Sequence, residues 1–187
     1  MSTLSPAPRA PASSTFLFRE PGTADGASLH QLIQACPPLD LNSPYAYLLL
    51  CAHHARTCVV AESAAGISGF VSAYCPPERP DTVFIWQVAV APVARGHGLA
   101  LRMLEHLLQR PALAGCRWLE TTVTPSNQSS RAVFSKLAAR LGVNSGECEF
   151  FSSKDFGVAG HEPEMLIRMG PLQQVPGISI RAQEKQS

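Results

Sequence analysis

The sequence predicts one α/β (α+β) domain, a mixed, mostly antiparallel sheet with about four helices on its faces. Three observations carry this. Short β-branched, apolar runs recur along the chain. Two segments with a 3.6-residue apolar period interleave with them after residue 90, and two more runs close the chain. The length of 187 residues, with 45% hydrophobic and 16% charged side chains, suits a single domain with a sizeable core.

Each element has a local reason. "TFLFRE", 15–20, reads as a first strand. Thr23 or Asp25 can cap a helix that carries Leu29, Leu32 and Ile33 on one face. "CPPLDLNSP" is a loop broken by prolines. Its end, Ser43–Pro44, is a helix start, with Ser at the N-cap and Pro in the first turn, so "YAYLLLCAHH" is the second helix. "TCVVAES" and "ISGFVSAY" flank "AAG" and read as a hairpin. After the loop "CPPERPD", "TVFIWQVAV" is a long central strand. Leu99, Met103, Leu104, Leu107 and Leu108 mark the next helix. "CRWLETTV" is a strand, and "NQSSRAVFSKLAARLG" is a helix closed by Gly142. "GECEFF" and "EMLIRMG" are the last two strands.

The folded unit is expected to span 16–172. A Pro-, Ala- and Ser-rich leader (1–15) precedes it and a flexible tail (173–187) follows. The leader lacks the apolar core of a secretory signal. No apolar run approaches the roughly 18–20 residues that span a bilayer. The net charge of +1 sets up no field for nucleic acid or a membrane surface, so neither is an expected partner. Cys36, Cys51, Cys58, Cys75, Cys116 and Cys148 are widely spaced, with no CxxC pair. They are expected as buried reduced thiols in a cytoplasmic protein, not as disulfides or zinc ligands. "HEPEM" resembles HExxH, but Met165 stands where the second His belongs, so no metal is expected.

The loop between the central strand and its helix holds the chemistry. Gly96 and Gly98 let backbone approach an anion, Arg95 adds charge, and the helix N-terminus adds free N–H groups and its dipole. A Walker loop would need GK[ST], which is absent. A dinucleotide fold would place its first glycine directly after the strand and would need GxGxxG/A; here Ala91–Arg95 intervene and Leu101 holds the third position. "RGHGLA", Arg95–Ala100, instead matches [Q/R]-x-x-G-x-[G/A] at every fixed position. "VAVAPVARGHGLA" thus resembles the coenzyme A strand and loop of the Gcn5-related N-acetyltransferase (GNAT) superfamily. "NQSSRAVF" adds Asn127 at a helix start and an aromatic, Phe134, seven residues later, as in that family.

The resemblance covers about 16–170. It implies a GNAT-type splayed sheet that binds acetyl-CoA, with the pantetheine arm between the strands around Val88 and Trp118. Backbone at Val88 and Val90 would pair with the pantetheine amides. Arg95, Gly96, His97, Gly98, Leu99 and Ala100 would hold the pyrophosphate. Asn127 would bond the pantetheine, and Val88 N–H would serve catalysis by stabilising an oxyanion. Phe134 departs from the many relatives with Tyr there, which can protonate the leaving thiolate; Phe has no proton to give.

The acceptor amine needs acidic and aromatic groups from outside the coenzyme loop. Asp40 and Asn42 lie in the proline-flanked loop. Trp86 stands on the central strand two residues before Val88, and strand alternation puts it on the same face. His161, Glu162 and Glu164 open the last strand. Asp40 and Glu162 are the candidate carboxylates for an ammonium or a base; Asn42, Trp86 and His161 are the other substrate-binding candidates. The segments "PLDLNSPYAYLLL", "FIWQVAVAP", "TVTPSNQSSRAVFSKLA" and "HEPEMLIR" resemble the diaminobutyrate acetyltransferase branch of the superfamily. That implies acetylation of the 4-amino group of L-2,4-diaminobutyrate, in the ectoine pathway, by a dimeric bacterial enzyme. Composition and spacing alone stop at an amine acetyltransferase. An acetyltransferase for another small amine, and a non-catalytic acetyl-CoA-binding regulator, remain the alternatives.

Overall fold

The computed structural model describes residues 15–157 and 160–173. The expected leader and tail lie outside these, apart from residues 15 and 173. In chain order the elements are β1 (Leu17–Arg19), α1 (Gly26–Gln34), α2 (Pro44–His53), β2 (Val59–Ser63), β3 (Gly66–Tyr74), β4 (Thr82–Val90), α3 (Leu99–Leu108), β5 (Trp118–Val123), α4 (Gln128–Leu141), β6 (Asn144–Phe151) and β7 (Glu164–Gly170). They build one sheet in the order β1-β2-β3-β4-β5-β7-β6. Every neighbouring pair is antiparallel except β4 with β5.

The caps follow the sequence. The Ser43 hydroxyl accepts the Ala46 N–H at 3.4 Å, ahead of Pro44. Gly142, at φ 65°, ends α4 in a conformation that other residues resist. The start of α1 differs. Asp25 is its N-cap, yet it makes no side-chain cap bond. Its carboxylate accepts from Gly22 N–H and from both terminal nitrogens of Arg19, at 2.7 and 2.9 Å. The cap residue therefore ties the helix to β1.

Two apolar layers cover the sheet. On one face Leu99, Met103, Leu104, Leu107, Phe134 and Leu137 of α3 and α4 pack on Val71, Val83 and Ile85. On the other, Leu29, Leu32, Ile33, Tyr47 and Leu50 of α1 and α2 pack on Val60, Phe70 and Ala89. Each such side chain contributes about 1.5–3 kcal/mol by leaving water.

Two features of the sheet position the site. The parallel contact joins only Thr82–Ile85 to Trp118–Thr121. Beyond it, residues 86–90 of β4 keep β3 as neighbour but have no β5 residue in register, so the strands splay. The β3–β4 register also shifts between Ser72 and Ala73, leaving Trp86 opposite no residue. This bulge corrects the expected alternation. Ile85 and Val88 face the α3–α4 layer and Ala89 faces the α1–α2 layer, while Trp86 is the inserted, exposed residue.

Among the described residues no helix is long and apolar enough to cross a membrane. Cys36, Cys51, Cys58 and Cys116 are buried free thiols and Cys75 is half-buried. Cys148 corrects the expectation of six buried cysteines. It lies on β6, whose every residue is exposed.

Candidate active site

The splay opens onto a cleft of about 550 Å³. Its floor is the free side of β4. Ala91 N–H donates to Ser68 C=O at 2.9 Å, and the ladder runs Val90 against Gly69, Ala89 against Phe70 and Val88 against Val71. Antiparallel pairing alternates bonded and non-bonded pairs. Ala91 and Ala89 therefore turn their N–H and C=O to β3, while Val88 and Val90 turn theirs into the splay. These are the two residues whose backbone the sequence nominated. The carbonyl of Val90 already accepts the Cys36 thiol at 3.3 Å and Arg95 Nε at 3.2 Å. Trp118 marks the strand on the other side of the splay. It pairs with Thr82, at the closed end of the seam.

The glycine loop stands at the open end. Gly96 has φ 83° and Gly98 φ 66°, the left-handed region where a Cβ is strained. Gly98 is also the N-cap of α3. With no side chain to cap, it leaves the first-turn N–H groups of a ten-residue helix facing the cleft. Arg95, Gly96, Gly98, Leu99 and Ala100 line the cleft. His97 does not. Its Nδ1 sits 2.9 Å from the Arg95 carbonyl, so the ring braces the loop from outside.

The wall opposite comes from α4. The Asn127 Oδ1 caps the helix, accepting from Ser130 N–H and the Ser129 hydroxyl, each at 3.1 Å. Asn127 lines the cleft and Phe134 forms its buried apolar wall. Lys136 and Arg140 line it further out, two cations that the sequence analysis passed over. Their spacing was the signal: Lys136 follows the cleft-lining Val133 by three residues and Arg140 follows Lys136 by four, which puts all three on one helix face. Cys36–Leu39 close the cleft from the α1–α2 side, and they too were read only as a loop.

The candidate acceptor residues fall into two groups. Asp40 is exposed, and its backbone carbonyl accepts from the buried Gln87 Nε2 at 2.8 Å. Gln87 N–H in turn donates to the Ser72 hydroxyl at 3.1 Å. A strand residue adjacent to Val88 thus holds the Asp40 loop. Asn42 N–H donates to the Tyr47 hydroxyl at 3.3 Å, which fixes the loop's far end. Across the splay, burial pushes the Glu164 carboxyl above its ordinary range. A Thr122 hydrogen bond and His161 oppose this, and the negative charges of Asp40 and Glu162 add to it. The charge of Asp40, in the loop before α2, is therefore felt at Glu164 at the start of β7.

Glu162 proves to be engaged elsewhere. Its two oxygens accept from Ser126, from the N–H at 3.1 Å and from the hydroxyl. It clamps the turn before Asn127. The His161 ring stacks on Phe156 at 3.6 Å. Trp86, at 42% exposure, is open on the bulge and, with Asp40, Asn42, His161 and Glu162, stands outside the lining of the cleft. Among the described residues no group of three or more His, Cys, Asp or Glu could hold a metal ion.

The profile of the Acetyltransferase (GNAT) family matches residues 26–139. L-2,4-diaminobutyric acid acetyltransferase of Bordetella parapertussis is 56% identical over 85% of this chain and 86% of its own length. The Chromohalobacter salexigens protein of the same name is 47% identical over 87% and 84%. Diaminobutyrate acetyltransferase EctA of Paenibacillus lautus, solved with L-2,4-diaminobutyric acid and coenzyme A, superposes with a TM-score of 0.82. It is 40% identical, over 85% of this chain and 96% of that one. The ribosomal-protein-S18-alanine N-acetyltransferase of Escherichia coli, at 17% identity and TM-score 0.65, shares the fold. A splayed β4, a glycine-capped α3 and relatives of this identity along most of the chain agree: the chain belongs to the GNAT acetyltransferase family.

Proposed function

We propose that this chain transfers the acetyl group of acetyl-CoA to the 4-amino group of L-2,4-diaminobutyrate, yielding 4-N-acetyl-L-2,4-diaminobutyrate for the ectoine pathway. The observation that carries this reading is the open side of β4 at Val88 and Val90 beside the glycine-capped start of α3, with the Asp40 loop tied to Gln87 next to Val88. The names of the curated relatives supply the acceptor, and the solved relative's diamino acid and coenzyme A agree with it.

The residues suit the co-substrate. Pantetheine carries amides that the outward-turned N–H and C=O of Val88 and the N–H of Val90 can pair with, as an added strand would. Arg95, the glycine loop and the first turn of α3 suit its pyrophosphate. Acetyl-CoA supplies a thioester carbonyl, and the Val88 N–H stabilises the negative charge that develops on its oxygen. Asp40 and Glu164 hold the diamino acid as a cation and, directly or through water, accept the proton that the attacking amine loses. Phe134, a buried wall of the cleft, cannot donate a proton, so either another donor or water protonates the thiolate. Lys136 and Arg140 suit a phosphate at the outer mouth. The protein is placed in the cytoplasm and as a dimer of identical chains, in line with the branch it resembles.

The test is free thiol release from acetyl-CoA with diaminobutyrate, lysine and a polyamine, followed by NMR of the product. Diaminobutyrate should react fastest and give the 4-N-acetyl isomer. Asp40→Asn and Glu164→Gln should each slow turnover roughly tenfold or more, the loss expected when one partner of a charge-assisted bond goes, while acetyl-CoA still binds. Mainly 2-N-acetyl product, or a rate no better than with lysine, would overturn the acceptor. Binding of acetyl-CoA with no thiol release from any amine would favour the regulatory reading that Phe134 keeps open.

A further inference from the structure

We propose that Cys75 and Cys116 form an oxidation site, closed by hydroperoxides into a reversible intrachain disulfide. The two sulfurs lie 3.7 Å apart, although 41 residues separate them in sequence. Cys75 follows β3 and is half-buried, so a small oxidant reaches it; Cys116 precedes β5 and is buried. Both pack on the α3–α4 layer beside the first residues of β4, at the opposite end of that strand from Val88 and Val90. The segments are already pinned together. Asp81 C=O accepts Arg117 N–H at 2.7 Å and Trp118 N–H at 3.1 Å, and Arg79 bonds Glu120 at 2.6 Å. Bringing the sulfurs to the roughly 2.05 Å of a disulfide therefore asks for side-chain motion more than backbone motion. Cys75 is the more accessible of the two, and the bond from the Cys116 thiol pulls it below the ordinary thiol range against the effect of burial. Cys75 is thus the thiolate that attacks.

The chemistry balances with one hydroperoxide. The Cys75 thiolate takes the distal oxygen of hydrogen peroxide as the O–O bond breaks, giving a sulfenic acid and, after protonation, water. Cys116 attacks the sulfenic sulfur, loses its proton and expels a second water. Two thiols lose two electrons, and the peroxide gains them. Two other buried thiols are poor competitors: burial pushes Cys51 up, and Cys58 to about 12.

The experiment uses the full chain carrying Cys148→Ser, which removes the exposed thiol that would link two molecules. The protein is treated with hydrogen peroxide, unfolded, alkylated with iodoacetamide and weighed intact. Two fewer alkylated cysteines are expected in a monomeric chain, with dithiothreitol restoring both. Adding Cys75→Ser or Cys116→Ala should abolish the paired loss, with circular dichroism confirming a folded chain. The oxidised chain should also unfold at higher urea than the reduced one. A Cys75 that gains oxygen while Cys116 stays alkylatable, an equal loss in the Cys75→Ser chain, or a lower urea midpoint after oxidation would each overturn the proposal.

Discussion

Gln87 sits buried in the central strand with only one end of its amide used. Nε2 holds the Asp40 carbonyl, and Oε1 has no partner among the described residues. A buried acceptor left unpaired costs about 1–3 kcal/mol. Gln87→Leu removes that cost together with the bond, so urea stability should change by less than about 1 kcal/mol. The Asp40 loop would lose its anchor, and turnover with the diamino acid should fall roughly tenfold. Unchanged kinetics would show that the loop needs no such tether. Gly98 tests the other end of the cleft. Its added Cβ would meet nothing within 4 Å, so the obstacle is the backbone, held at φ 66°. Gly98→Val should cost about 1–2 kcal/mol of local strain, and a side chain would stand where the pyrophosphate is placed. Calorimetry should show at least a tenfold weaker acetyl-CoA affinity in a folded variant.

At the scale of elements, the junction of β1 and α1 carries a pH dependence. The hydrogen bond from Arg19 is the main reason that Asp25 is held below the usual carboxylate range; burial opposes it and Gly22 N–H assists it. A depressed folded value adds stability above the ordinary value near pH 4, and that stability is lost as pH falls through the folded one. Asp25→Asn should therefore cost about 1 kcal/mol at pH 7, allowing for partial exposure, and little at pH 3. Urea midpoints at both pH values check it. The sequence showed this element order because its punctuation is local. Ser43–Pro44, Asn127 and Gly142 each fix a boundary with their own side chain or backbone. What it could not show depends on neighbours distant in the chain. The bulge at Trp86 is a register relation with β3, and Glu162 lost its free carboxylate to Ser126, 36 residues away. β6 read simply as a strand; its place at the sheet edge leaves Phe150 and Phe151 exposed.

For the whole molecule, the sheet is two blocks, β1–β4 and β5–β7–β6, sharing four in-register residue pairs. On the proposed reading, acetyl-CoA bridges them and should raise the unfolding free energy by about 2.7 kcal/mol at a hundred times its dissociation constant. Amide exchange at Val88 should slow on binding, while the closed-seam amides of β4 change least. Uniform protection of all β4 amides would contradict a ligand that pairs only with the splayed end. The splay also acts as a gauge of girth. It narrows from Val90 toward the point where Ile85 meets Thr121. A chain bearing Cβ branches on alternate sides jams early in such a taper. A chain of unbranched methylenes and amides slides to its apex. On the proposed reading, the geometry that leaves β4 unzipped therefore disfavours stray peptide strands, the usual hazard of an open sheet edge, and admits the unbranched, sulfur-bearing end of the pantetheine arm.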